Sequence, residues 1–232
     1  MTDLICRCVN VARTYGSGRT ATVALHGTSG EVAEGDRIAI IGPSGSGKST
    51  LLHLMAGLDR ATAGTVDWPA LGPAERLRPG PVAVIFQGPS LLGPLDVIEN
   101  VALPLLLGGA SEAKATDAAR RALVRLDLSA LAAKLPEELS GGQAQRVAVA
   151  RALAGNPRFI LADEPTGQLD HVTAGQVVDV LIAAAGDCGA ALVVATHDPV
   201  MADRLRQRWA LIDGRLQLPA GADSRGSTPC SA

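Results

Sequence analysis

Four short apolar runs set the rhythm of the chain: RIAII at 37–41, PVAVIF at 81–86, RFILAD at 158–163 and AALVVAT at 190–196. Each is bounded by turn residues and shows no polar alternation, the pattern of a strand covered on both faces in a parallel sheet. LICRCVNVAR at 4–13 reads as an earlier strand, followed by a Gly/Ser/Thr-rich stretch that reads as a turn. STLLHLMAG at 49–57 and AGQVVDVLIAAAG at 174–186 carry helical spacing between the runs. Strands alternating with helices predict a mainly parallel α/β sheet.

One region breaks the alternation. From about Pro89 to Gly155 the pattern is helical and gives no strand, so a helical subdomain inserted in the α/β core is expected there. SEAKATDAARRALVRLDL opens on Ser111 and Glu112, a helix-start signal, and spaces Ala119, Ala122, Leu123 and Leu126 on one face. RWALIDGRLQL at 208–218 places an Asp-Gly pair between two alternating runs, which predicts a tight hairpin. The stretch from 219 to 232 is small and polar and is expected to be disordered.

Composition narrows the class. The chain has 232 residues, 47% hydrophobic and 19% charged, which is globular and apolar-leaning. A formal charge of -2 gives no basic footprint for nucleic acid. The richest apolar run, VIENVALPLLLGGA from Val97, is cut by Glu99 and Pro104 and is too short for a bilayer span. The start, MTDLICRC, lacks the basic-then-apolar order of a secretory signal, so a cytosolic protein is expected. Cysteines at 6, 8, 188 and 230 form no disulfide framework. Cys6 and Cys8 share one face of the first strand and read as two small apolar residues rather than half of a metal site.

The chemistry begins at GPSGSGKST. It follows a predicted strand and opens a predicted helix, the context that gives a glycine loop its meaning. Gly42, Gly45 and Gly47 let the backbone curl so that successive N–H groups face phosphates. Lys48 neutralises the β/γ-phosphates, Ser49 offers a hydroxyl to Mg²⁺, and the helix start adds a positive dipole end. Pro43, Ser44, Ser46 and Thr50 complete the cradle.

RFILADEP then supplies an apolar strand ending in two acids. Asp163 fits the metal-organising acid of P-loop enzymes, and Glu164 is placed to polarise an attacking water as general base. Gln87, ending VAVIFQ, reaches the metal and water from a second strand end, and His197, ending ALVVATH, donates to the γ-phosphate from a third. Strand ends converging on one edge are where open α/β sheets hold ligands. A second glycine pair, in LSGGQAQR at 139–146, duplicates a function that the first loop already satisfies.

The P-loop, Gln87, LSGGQAQR, LADEP, GQLD and His197 occur in the order found in ATP-binding cassettes. From about residue 4 to 218 the chain resembles the nucleotide-binding subunit of ABC transporters, and its GPSGSGKSTLLHLMAGLDRATAG, ENVALPLLL and DEPTGQLD are similar to the lipoprotein-release and macrolide-exporter type. The resemblance implies a P-loop NTPase (RecA-like) core with an antiparallel β lobe, spanning 4–218 as one domain with helices inserted at about 89–155. It implies that Tyr15 stacks on adenine, that Ser140, Gly141, Gly142 and Gln143 contact ATP held by a partner subunit, and that Asp170 belongs to a loop crossing the dimer interface. Gln87 to about Leu107 matches the surface that receives the membrane subunit.

The implied activity is ATP hydrolysis with Mg²⁺. The implied partners are a second cassette, in a homodimer or a cassette heterodimer, and an integral membrane permease that holds the chain at the cytoplasmic face, for export; no nucleic acid is expected. A second reading keeps the ATPase but makes it a signalling module, of the cell-division type, that activates an extracytoplasmic enzyme. One segment and three single positions depart from the family pattern. The chain between Lys48 and Gln87 is short, Gln168 and His171 flank Asp170 where smaller residues, or Asn and Ser, are familiar, and Ala144 replaces a usual Gln, where helix packing is expected.

Overall fold

The computed structural model describes residues 3–167 and 169–218. The stretch expected to be disordered, 219–232, and Gln168 lie outside the described residues.

Nine strands form two sheets among the described residues. The larger has the order β5 (Val82–Ile85), β6 (Phe159–Asp163), β7 (Ala191–Thr196), β3 (Arg37–Ile41), β8 (Gln207–Ile212) and β9 (Arg215–Gln217). All neighbours in it are parallel except β8 and β9, which pair antiparallel around Asp213 and Gly214, both at positive φ, as the Asp-Gly pair predicted. The apolar runs are continuous because alternate side chains enter two different cores. Ile38, Ile40, Phe159, Leu161 and Val193 pack with Leu51, Leu52 and Leu54 of α1 (Lys48–Met55). Ala39, Ile160, Ala162, Leu192 and Val194 face the other way, toward Val147 of α4 (Gly141–Leu153) and Val177 and Leu181 of α5 (His171–Asp187).

Between β5 and β6 the chain is helical, with α2 (Val97–Leu107), α3 (Glu112–Arg125) and α4. Ala119, Ala122, Leu123 and Leu126 are buried as their spacing predicted. These helices share the second core with the sheet rather than enclosing one of their own. Ala144 is buried within α4. A short helix, α6 (Pro199–Ala202), follows β7. No helix among the described residues is long and apolar enough to cross a membrane.

The expected turn follows the first strand, with Gly16 and Gly18 at positive φ and a 3-10 turn at Gly18–Thr20, but the smaller sheet goes beyond what the pattern showed. β1 (Leu4–Tyr15) pairs antiparallel with β2 (Thr22–Ala33), which occupies most of the Gly/Ser/Thr-rich stretch, and with β4 (Ala63–Asp67), which the apolar pattern also missed. Gly30 is a strand residue with the Trp209 indole packed close to it: a Cβ there would stand 3.1 Å from the ring. Glycine supplies room here, not a chain reversal. Cys6 and Cys8 are both buried in the first core with Ile5, Val11 and Leu25. A register shift between Leu4 and Cys6 lets consecutive residues Ile5 and Cys6 both turn inward. Burial, then the hydrogen bond with Cys8, pushes the Cys6 thiol well up, consistent with an inert structural pair.

Candidate functional site: a nucleotide cleft at the strand ends

Strands β5, β6, β7 and β3 are adjacent and parallel, so their carboxyl ends deliver Gln87, Asp163 with Glu164, His197 and the glycine loop to one edge of the sheet. A cavity of ≈ 640 Å³ opens there, lined by every residue of the loop from Pro43 to Thr50 except Ser46, together with Gln87, Glu164 and His197. Ala24 of β2 also lines it. The apolar pattern does not mark this residue, because it does not reveal β2.

Close approach fixes two of the loop's glycines, and Gly45 is favoured instead by its φ of 79. A Cβ on Gly42 would stand 2.1 Å from the Leu211 carbonyl oxygen, and one on Gly47 would stand 2.5 Å from that of Ala24. Gly47 also sits at φ 99 as the residue before α1 and makes no side-chain cap, so the first-turn N–H groups of α1 have no capping acceptor. Such a helix start is an anion site.

Lys48 is buried at the bottom of the cleft. Its Nζ donates to the carbonyls of Gly42 at 2.9 Å and Pro43 at 3.2 Å and stands 3.6 Å from Glu164 Oε1. The other carboxylate oxygen of Glu164 lies 2.9 Å from His197 Nδ1. Glu164 is 13% exposed and His197 65%, so the acid is sheltered and the imidazole forms the rim. The Glu164 backbone is held at φ 43, a left-handed conformation that costs a non-glycine residue roughly 1–2 kcal/mol. Its N–H donates to the Ala195 carbonyl at 2.9 Å, an anchor on the neighbouring strand that keeps the chain turning toward the cleft.

Asp163 is 8% exposed at the end of β6, and its Oδ1 has no hydrogen-bond partner. Ser46 Oγ is likewise buried without one. Buried polar atoms without partners are rare, and a carboxylate oxygen in that state suits a cation. No group of three or more His, Cys, Asp or Glu side chains gathers among the described residues. A metal held here would take its other ligands from hydroxyl, amide, phosphate or water oxygens, the usual choice of Mg²⁺.

The remaining predicted residues lie outside the cavity. Tyr15 is 40% exposed, its hydroxyl donates to Asp59 at 2.9 Å, and the Arg13 guanidinium sits 4.5 Å from its ring centroid. It pairs with Thr22 across the β1–β2 ladder, two residues from Ala24, so it stands beside the cleft rather than in its wall. Ser140 caps α4: its Oγ accepts from the Gln143 N–H at 3.3 Å, and its own N–H donates to Gln143 Oε1 at 2.9 Å. Gly141 next to it is exposed, while Gly142 packs tightly, since a Cβ there would stand 2.5 Å from Thr173 Cγ2. Asp170 caps α5, accepting from the Val172 and Thr173 N–H groups at 3.0 Å and from the Thr173 hydroxyl at 2.6 Å.

Known proteins share this arrangement. The family model described as ABC transporter matches residues 25–167, more than half of the chain. The lipoprotein-releasing system ATP-binding protein LolD of Legionella pneumophila (strain Paris) is 41% identical over 223 residues, which cover 93% of this chain and 98% of the relative. The ATP-binding cassette MJ0796, solved as a dimer in a post-hydrolysis state bound to ADP and Pi, superposes with a TM-score of 0.81 at 35% identity, covering 92% of this chain and 98% of that one. CbiO1 from Clostridium perfringens, part of the ABC transporter complex cbiONQ, gives 0.80 at 27% identity, covering 93% and 88%. With its phosphate loop, Glu164 and strand-end histidine lining one cleft, and with these matches over most of its length, the chain belongs to the ABC transporter family as an ATP-binding, ATP-hydrolysing cassette, the nucleotide-binding subunit of a transporter.

Proposed function

We propose that two cassettes close head to tail on ATP, each nucleotide held between the cleft of one copy and Ser140, Gly141, Gly142 and Gln143 of the other. The observation that carries this reading is the exclusion of those four residues from their own chain's cavity, whose wall is made by the P-loop, Ala24, Gln87, Glu164 and His197. The start of α4 faces outward with its glycine exposed. Asp170, near it at the start of α5, falls on the same closing surface.

Within the closed site, Lys48 exchanges its carbonyl contacts for the β/γ-phosphates. Glu164 accepts a proton from the attacking water as its oxygen bonds to the γ-phosphorus and the bond to ADP breaks. The contact of His197 Nδ1 with Glu164 keeps the carboxylate turned toward that water. Ser49, Asp163 and Gln87 would hold Mg²⁺, which when bound neutralises phosphate charge. Tyr15 flanks the adenine side.

Hydrolysis reopens the pair and drives an integral membrane permease, with lipoprotein release as the transport reaction, as in the system named for the LolD relative. The cassette then sits peripherally at the cytoplasmic face. An apolar groove of ≈ 540 Å³ beside edge strand β5, lined in part by Val84, Phe86, Leu105 and Leu107, supports docking of the permease along Gln87 to Leu107. Leu107 is 74% exposed.

Glu164→Gln tests the scheme. It removes the base while keeping the shape, so the variant should bind ATP, hydrolyse it at least about 100-fold more slowly, and double its mass in light scattering at saturating ATP. A variant that stays monomeric at every ATP concentration would sink the head-to-tail reading.

A further inference from the structure

The segment after Gln87 leaves the sheet and is gripped from the helical side at two points. Arg151, in the last turn of α4, donates from Nη1 to the Ser90 carbonyl at 2.8 Å and from Nη2 to the Pro89 carbonyl at 3.1 Å. Asn100, fully buried in α2, accepts from the Leu92 N–H at 2.8 Å and donates to the carbonyls of Leu92, Leu95 and Asp96 at 2.8–3.1 Å. Asn100 thus secures the far end of the segment, and Arg151 secures the end that carries Gln87.

The Arg151 contact has the features of a device that holds a backbone against its own preference. Ser90 stands at φ 49, a left-handed conformation that persists only where the surroundings determine it. The planar guanidinium places two parallel donors on adjacent carbonyls, which fixes direction as well as distance. Arg151 also lines the apolar groove beside β5, where none of the lining residues is acidic, and burial there lowers its pKa. A charge kept in such a setting without a carboxylate is held by the carbonyls it serves.

From these contacts we infer that Arg151 is a positioning residue for ATP hydrolysis: it locks the peptide that carries Gln87 to the helix that begins at Ser140, so that Gln87 and the α4 start keep one fixed relation. The inference rests on the proposed role of Gln87 at the cleft. It makes the groove, the Gln87 segment and α4 one mechanical unit, with Arg151 touching all three. A segment entering the groove therefore meets the residue that sets Gln87.

The test uses the full chain, with steady-state ATPase kinetics, affinity for a fluorescent N-methylanthraniloyl ATP and thermal melting. Arg151→Lys keeps the charge and stem but offers a point donor in place of the fork. It should lower kcat about tenfold while leaving nucleotide affinity within about twofold, as expected for misplacement of a group used only in turnover. Arg151→Met removes both donors and leaves no buried charge, so it gives the same readout should the lysine ammonium destabilise the chain. Combined with Gln87→Ala, either change should add no further loss, because both act through one amide. A wild-type kcat in Arg151→Lys and Arg151→Met, with Gln87→Ala impaired, would overturn this inference alone, and so would losses that multiply in the double variant. Wild-type turnover in Gln87→Ala would remove the role given to Gln87 and this inference with it.

Discussion

Among the described residues, α1 and α4 both begin beside glycines, and their starts are built differently. At α1 the residue before the helix is Gly47, which has no side chain to cap with, and the following Lys48 brings a positive charge beside the free N–H groups. At α4 the residue before the helix is Ser140, whose hydroxyl and backbone are closed in a reciprocal box with Gln143, and the first turn, Gly141 to Gln143, carries no charge. The first start holds an anion with what lies around it. The second presents dipole and N–H groups but lacks the cation, and it faces away from the cavity that has one. Under the head-to-tail closure proposed above, the difference would let one chain carry a strong phosphate site and a weak one, the weak start gaining a ligand when another copy brings both nucleotide and lysine.

The sharpest way to break this comparison is to block the second start and leave the first intact. Ser140→Arg fills the approach to α4 with a long cation and removes the box. ATP affinity should stay within about twofold, since Lys48 and the α1 start are untouched, while kcat falls by about 100-fold or more, the scale on which loss of a preorganised donor acts. Parallel nucleotide titration and ATPase assays give both numbers. Unchanged turnover would mean that the α4 start has no part in hydrolysis.

A smaller effect separates packing from ligand contact at Gly142. Its neighbour Gly141 has only Leu169, 3.6 Å away, near a Cβ position, whereas an added methyl at Gly142 would meet Thr173 Cγ2 at 2.5 Å. Gly142→Ala should cost roughly 1–3 kcal/mol of stability through overpacking between α4 and α5, seen as a lower Tm. Thr173→Ser in the same chain removes that methyl, keeps the hydroxyl on Asp170 and should restore the Tm. If kcat recovers together with Tm, Gly142 serves helix packing. A recovered Tm with turnover still low would assign it to the nucleotide as well.

The phosphate side of this comparison was open to the sequence, because its determinants are local: an apolar strand, a glycine loop, Lys48 and a helix follow one another within a few residues. The parallel strands were legible for a related reason, since burial on both faces removes polar alternation. β2 was hidden because its glycines do strand work, Gly30 making room for Trp209 from far along the chain. The contact of Glu164 with His197 depends on the β6–β7 register, Asp163 opposite Ala195, which no local pattern carries. The hold of Arg151 on Pro89 and Ser90 was beyond reach for the same reason. LSGGQAQR could be singled out, yet its solvent-facing, self-capped state became visible only once the cavity wall was known.

The smallest effect concerns a third helix start, that of α5, which lies against the second through Thr173. Asp170 accepts from two N–H groups and from the Thr173 hydroxyl. The hydroxyl first, and the N–H groups after it, hold its carboxyl below the usual 3.8. A carboxylate stabilised in the folded chain adds stability that is present above its unfolded pKa and is lost as pH falls through the folded one. Asp170→Asn keeps an oxygen acceptor but does not titrate. Relative to it, the native chain should hold a constant advantage in urea midpoint at neutral pH and lose that advantage progressively as pH falls through and below the ordinary carboxylate range, since the folded-state pKa is the lowered one. Thr173→Val should shrink the advantage throughout, because valine offers the carboxylate no hydroxyl. An advantage that survived undiminished to the lowest pH would show that Asp170 acts at the α5 start through shape alone, which would leave charge as a property of the α1 cradle among the three helix starts.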